Sequence, residues 1–282
     1  MSKLSEFQKK QDFLVCVDSD GCAMDTMTSK HETAFCPRLI DVYDLHEVDK
    51  DGLITKEWMR LNLYSATRGV NRFKGLAHTL IFLHEHGVEV PGREEVVAWV
   101  NGAKVLSNDA LREAIANGGG APLEKALEWS LAVNATVAKM SEAGNSHPFP
   151  GCKEALEHLR PHCDTAVVSA ANSEAVEEEW RCCGIAKSMD LLMGQDAGSK
   201  AFCLKELVKK GYGKDHILMC GDALGDLDAA RQAGVLFYPI LVGKEAESWK
   251  RLTEEAFPRF LEGTYAGEYE ERLIGEQKKI LA

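Results

Sequence analysis

Apolar and polar positions fall along this chain in blocks of two kinds. Phe13-Leu14-Val15-Cys16-Val17 is an unbroken run of five apolar residues. It is too short for a helix and lacks polar alternation, so it predicts a strand buried on both faces, as in a parallel sheet. From Pro148 onward such runs recur between helical stretches. The pattern predicts a helix from Cys152 to Leu159, a strand from Thr165 to Ser169, and a helix opened by Ala170-Ala171-Asn172 and ended by Gly184. A weak strand at Asp190 to Met193, a helix at Ser199 to Lys210, a strand at His216 to Cys220, a helix at Leu224 to Ala233 and a last strand at Leu236 to Val242 follow. Strand alternating with helix predicts a doubly wound, Rossmann-like α/β sheet.

Between the first strand and this series the period changes. Residues 24–147 carry helical spacing only, as in Leu76, Ala77, Leu80, Ile81 and Leu83 before Gly87. Ser107 suits the cap of a helix carrying Leu111 and Ile115. Pro122 suits the first turn of a longer one that carries Leu123, Leu127, Leu131 and Val137 and stops at Gly144. The chain is therefore expected to hold a discontinuous α/β core, 1–23 with 148–282, and an inserted all-helical domain, 24–147. The tail from Lys244 adds amphipathic helices with Trp249, Leu252, Phe257, Phe260 and Leu273, fit to pad the core or to meet a partner chain.

Composition narrows the function. At 282 residues and 45% hydrophobic the chain can build two modules. A formal charge of -11 repels phosphate polymers and anionic surfaces, so neither nucleic acid nor membrane is an expected partner. None of the nine cysteines forms a C-x-x-C pair, and Cys16 and Cys220 lie in apolar runs, which suits reduced thiols and a cytoplasmic location. The polar start of the chain and the absence of a long apolar run imply no export.

The chemistry gathers where strands end. In a parallel sheet of this kind ligands bind beyond the carboxyl ends of the strands, where helix N-termini offer N–H groups to anions. The first strand ends in Asp18-Ser19-Asp20-Gly21, the second in Ser169, and the fourth in Gly221-Asp222-Ala223-Leu224-Gly225-Asp226, while Lys200 opens the helix after the third. Were the chain extended through Asp20, the Asp18 and Asp20 carboxylates would share one small volume and repel unless a cation lay between them. Each residue alone also suits a turn or a cap.

Taken in order, D-x-D-G, a strand-end Ser, a helix-opening Lys and G-D-x-x-x-D resemble the four motifs of the haloacid dehalogenase-like hydrolase superfamily, with the insertion at the place of that family's helical cap. The resemblance implies a magnesium-dependent phosphatase acting on a small phosphorylated metabolite. Asp18 would be the nucleophile that forms an aspartyl phosphate, and Asp20 the general acid and then base. Mg2+ would be held by Asp18, Asp222, Asp226 and the backbone carbonyl of Asp20. Ser169, the following N–H of Ala170, and Lys200 would bind the phosphoryl oxygens. An aspartate at position 20 favours phosphomonoesters, since dehalogenase and phosphonate-cleaving members lack it. A phosphomutase resembling beta-phosphoglucomutase keeps both aspartates and stands as the alternative.

Two further stretches bear on function. Arg60 to Lys74 concentrates cations and amides in an acidic chain, and Arg68 and Arg72 are its candidates for contacting a part of the substrate remote from phosphate; the bland alternative is a helix end stopping at Gly69. Glu47 to Thr55 imitates a calcium loop, but Trp58 stands where the bidentate Glu is required, so a calcium-binding or scaffolding protein is the weaker, non-enzyme alternative. Oligomeric state is not written in these patterns.

Overall fold

The computed structural model describes residues 4–142 and 146–282. The chain divides into two compact units, 1–27 with 144–282, and 28–143. Gly144, expected to stop the long helix of the insertion, lies outside the described residues.

The first unit is built on five parallel strands in the order β3-β2-β1-β4-β5. They are β1 (Leu14–Val17), β2 (Asp164–Val168), β3 (Leu191–Met193), β4 (Ile217–Gly221) and β5 (Leu236–Pro239). β1 is central: Val17 stands opposite Val167 of β2 and Cys220 of β4. Leu14 and Cys16 face one apolar layer and Val15 and Val17 the other, all four at 0% exposure, which is why the run shows no polar alternation. Helices Lys200–Val208 and Leu224–Ala233 cover the first face through Leu204, Leu207 and Ala230. Helices Cys152–Leu159 and Ser173–Cys182 cover the second through Leu156 and Trp180. Trp249, Leu252, Phe257, Phe260 and Leu273 of the tail join that second layer, so the tail packs on its own unit.

Strand ends differ from expectation by one residue, except at β5, which is three residues shorter. It stops at Pro239, a residue without the N–H a longer ladder would need, rather than running to Val242. The N-terminal segment, polar in sequence, is pinned by the backbone N–H groups of Lys10 and Gln11, which donate to Asp164 Oδ2 at 2.8 and 3.0 Å.

The second unit consists of helices, the longer ones Leu53–Leu63, Arg72–Glu85, Arg93–Gly102 and Ala121–Glu142. Trp58, Leu76, Leu80, Val96, Leu123 and Trp129 form its core. Ser107 caps Asn108–Ala116 by accepting from the Ala110 N–H, as expected. Helix Leu53–Leu63 ends six residues before Gly69, the alternative helix stop in this stretch. The calcium-loop imitation is the approach to this helix: Asp49 Oδ1 accepts from the N–H groups of Ile54 and Thr55 at 2.7 and 3.0 Å.

Candidate active site

The site is built at the carboxyl ends of β1 and β4, the neighbouring strands where the sheet order reverses. The Asp18 N–H still donates to Cys220 O, at 3.0 Å. The chain then turns: Ser19 O accepts from the N–H groups of Cys22, Ala23 and Met24 at 3.3, 3.0 and 2.9 Å, and Gly21 takes a φ of 81°. This turn corrects the extended geometry expected for Asp18-Ser19-Asp20. Because the backbone leaves the strand at Ser19, the Asp20 carboxylate does not join the acidic cluster of Asp18; it accepts a hydrogen bond from Thr26 Oγ1, at 2.5 Å.

That cluster is Asp18, Asp222 and Asp226, with one oxygen of each within 4.8 Å of the others. All three are buried, Asp18 at 6% and the others at 1% exposure. Asp226 lies in the first turn of helix Leu224–Ala233, where its Oδ2 accepts from the Ala223 N–H at 3.0 Å, satisfying a donor the helix leaves open. Lys200, first residue of a helix capped by Ser199, places its Nζ 2.7 Å from Asp18 Oδ2 and 2.5 Å from Asp226 Oδ1. Asp18 Oδ1 accepts from the Ser19 N–H at 2.8 Å. Each Asp18 oxygen is thus held by a separate donor, which fixes the side chain.

Burial raises the Asp18 carboxyl well above the usual carboxylate range; repulsion from Asp226 and Asp222 adds to this, and Lys200 opposes it. Burial alone would lower the Lys200 ammonium, but Asp18 and Asp226 outweigh it and hold the group charged. Three buried carboxylates face one ammonium, so the cluster carries an excess of negative charge out of water. Its donors are hard oxygens, a set that fits a small divalent cation.

Ser169 follows β2, the strand on the other side of β1, and is 4% exposed. Its N–H donates to Met193 O at 2.9 Å and its Oγ accepts from the Ala171 N–H at 3.1 Å. Ala170 beside it is exposed. Both stand at the same end of the sheet as Asp18. Arg68 and Arg72 belong to the helical unit. Arg68 is 5% exposed and its Nη1 donates to Leu63 O at 2.8 Å, at the end of helix Leu53–Leu63. Arg72 Nη1 donates to Ser130 O, Ser130 Oγ and Asn134 Oδ1 at 3.4, 3.3 and 2.6 Å, with the guanidinium 5.2 Å from the Phe35 ring. Burial lowers its pKa to about 10.

Ser19 and Thr26 were missed from the sequence. Their partners, Trp180 at 161 positions from Ser19 and Asp20 at six positions from Thr26, follow no local spacing rule that would have singled them out.

The family model described as haloacid dehalogenase-like hydrolase matches residues 101–240. No curated protein matches the chain. Among solved structures, a Bacteroides fragilis protein described as a haloacid dehalogenase-like hydrolase is similar at a TM-score of 0.51 and 15% identity, over 85% of this chain and 93% of that one. A Haemophilus somnus protein described, by prediction, as a phosphoglycolate phosphatase reaches 0.50 and 16%, over 82% and 85%. At these identities the likeness is one of fold. The matched span takes in Ser169, Lys200, Asp222 and Asp226, and the sheet sets Asp18 beside them from outside it; over residues 101–240 the family model supports a haloacid dehalogenase-like hydrolase.

Proposed function

We propose that the protein is a magnesium-dependent phosphomonoester hydrolase that works through an aspartyl phosphate on Asp18. The observation that carries this reading is the buried Asp18 carboxylate, held by the Ser19 N–H and Lys200 and flanked by Asp222 and Asp226. A carboxylate so fixed is poised for in-line attack on phosphorus. Asp18, Asp222 and Asp226 would hold Mg2+, which supplies charge neutralisation for the phosphoryl oxygens when bound. Lys200, Ser169 and the Ala170 N–H would bind those oxygens. Asp20, set apart from the cluster and already hydrogen-bonded by Thr26, would protonate the leaving alcohol and then deprotonate the water that cleaves the intermediate.

For substrate choice we assign a part to Arg72, whose hydrogen bonds among the described residues go to neutral oxygens. A desolvated guanidinium held by neutral oxygens favours an anionic ligand, which supports a small phosphorylated metabolite with a second anionic group as the substrate. Arg72→Ala is expected to raise KM for such a substrate and leave a plain aryl phosphate unaffected.

The test is turnover of an aryl phosphate with and without Mg2+, in the wild type and in Asp18→Asn. Activity is expected only for the wild type with metal. Undiminished turnover by Asp18→Asn, or after chelation, overturns the mechanism.

A further inference from the structure

Ser19 lies between the two aspartates; its side chain has no part in the chemistry proposed above, and the residue is 0% exposed. A buried hydroxyl without a partner is destabilising, and this one has an unusual partner. Trp180 Nε1–H, itself on a residue of 0% exposure, donates to Ser19 Oγ at 2.8 Å across 161 positions of sequence. Every polar group of Ser19 is therefore engaged: its N–H with Asp18 Oδ1, its carbonyl with the N–H groups of Cys22, Ala23 and Met24, and its hydroxyl with the indole. A second indole reaches the same turn. Trp249 Nε1–H donates to Cys22 O at 3.2 Å, from helix Glu245–Arg251.

Both tryptophans belong to the apolar layer on one face of the sheet. Packing needs only their rings, and a phenylalanine would fill most of that volume. What the indoles add is a fixed N–H aimed at backbone or hydroxyl oxygen of the turn that carries Asp18. Trp180 also sits on the helix that follows Ser169, so one rigid element ties the second strand's loop to the first strand's turn.

We propose that Trp180 and Trp249 are positioning residues whose indole N–H groups clamp the Asp18–Met24 turn, Trp180 acting on Asp18 through Ser19. The Ser19 N–H can hold Asp18 Oδ1 only while the Ser19 backbone stays put. The bond from Trp180 removes the rotation that would let it drift. A displacement of about 1 Å at a reacting group can cost up to about 10²-fold in rate, so loss of one such bond is expected to cost about tenfold.

The kinetic arm of the test rests on the hydrolase reading; the exchange arm does not. In Trp180→Phe, kcat for an aryl phosphate is expected to fall about tenfold with KM within about twofold, the mark of lost transition-state alignment. Ser19→Ala should behave similarly. The double variant should be no worse than about twofold below the weaker single, because the two side chains act as one unit. Amide hydrogen exchange at Cys22, Ala23 and Met24 should quicken in both singles while the amides of β1 stay protected. Unchanged exchange at those three amides overturns the clamp whatever reaction the protein performs. Faster exchange with unchanged kcat, or additive losses, overturns the positioning role. A wild type that turns over no phosphate ester defeats the hydrolase reading instead, and the exchange result then decides the clamp. Should Trp180→Phe fail to fold, Ser19→Ala and Trp249→Phe carry the same measurements.

Discussion

Gly221 lies directly beneath Asp226: a Cβ on residue 221 would come within 2.5 Å of both the Asp226 Cγ and Oδ2. The glycine that ends β4 is thus required by space, since its φ is not among the positive ones. The Asp226 carboxylate is pressed over bare backbone, and from there it reaches the Ala223 N–H and Lys200.

Gly221→Ala is therefore expected to push Asp226 off both partners and out of the acidic cluster. Turnover should fall by about 10–100-fold, and the Mg2+ concentration for half-activity should rise. Stability should drop by about 1–3 kcal/mol, the range for overpacking. Activity titrated with metal, alongside a urea melt, checks both.

Asp20 and Asp18 stand in different surroundings, as the different work proposed for them requires. Asp20→Asn should cost about 10²–10⁴ in rate on alkyl phosphates, whose leaving oxygen needs a proton, and clearly less on activated aryl esters. Thr26→Ala, which removes the hydroxyl that donates to Asp20 Oδ1, should give a weaker version of the same selectivity. Equal losses for both ester types in single-turnover measurements would show that Asp20 moves no proton.

The excess negative charge of Asp18, Asp222 and Asp226 against Lys200 gives metal binding a signature independent of turnover. Mg2+ should raise the unfolding temperature, corresponding to about 2.7 kcal/mol at a hundredfold excess over its dissociation constant. Asp222→Asn should blunt that rise. Calorimetry with Mg2+ against chelator measures it, and identical melts for the wild type in both would contradict the proposed site.

At the sheet's outer edge the tail occupies both polar groups of Phe237 in β5. Its N–H donates to Glu270 Oε1 at 2.8 Å, and its carbonyl accepts from Tyr265 Oη–H at 2.7 Å. An edge so covered offers no template for another strand. Burial raises the Glu270 pKa, against the Phe237 N–H, which lowers it. A carboxyl raised in the folded state binds protons more readily there, so its penalty is full above the folded value and fades as pH falls through it. Glu270→Gln keeps an oxygen for the N–H and removes the charge. It should be at least as stable as the wild type at neutral pH, with the gap narrowing as pH falls through the raised folded value, as read from urea midpoints.

The strands that carry the site were legible because each is buried on both faces, and only continuous apolar runs satisfy two cores at once. Val15 and Val17 feed one, Leu14 and Cys16 the other. Helix starts such as Ser107 were legible because a cap is a bond between residues three apart. The end of helix Leu53–Leu63 was not legible, since Arg68 folds back to Leu63 O, a contact beyond the helix that its own periodicity does not record.

What the sequence by itself determined is the order of the elements and the identity of the groups at the strand ends: Asp18, Ser169, Lys200, Asp222 and Asp226, each fixed by the local rule that a parallel strand leads into a loop and a helix. Only the tertiary structure decided which of them meet. Lys200 reaches Asp18 and Asp226 because β1 and β4 are neighbours in the sheet, a pairing that no local pattern encodes. The separation of Asp20 from Asp18 hangs on the turn at Ser19, and the donors to that turn, Trp180 and Trp249, come from 161 and 227 positions away. Periodicity records which way a residue faces within its own element; the hydrogen bonds that set the angle of the Asp18 carboxylate and of its turn are made between elements, and exist only once the chain has closed on itself.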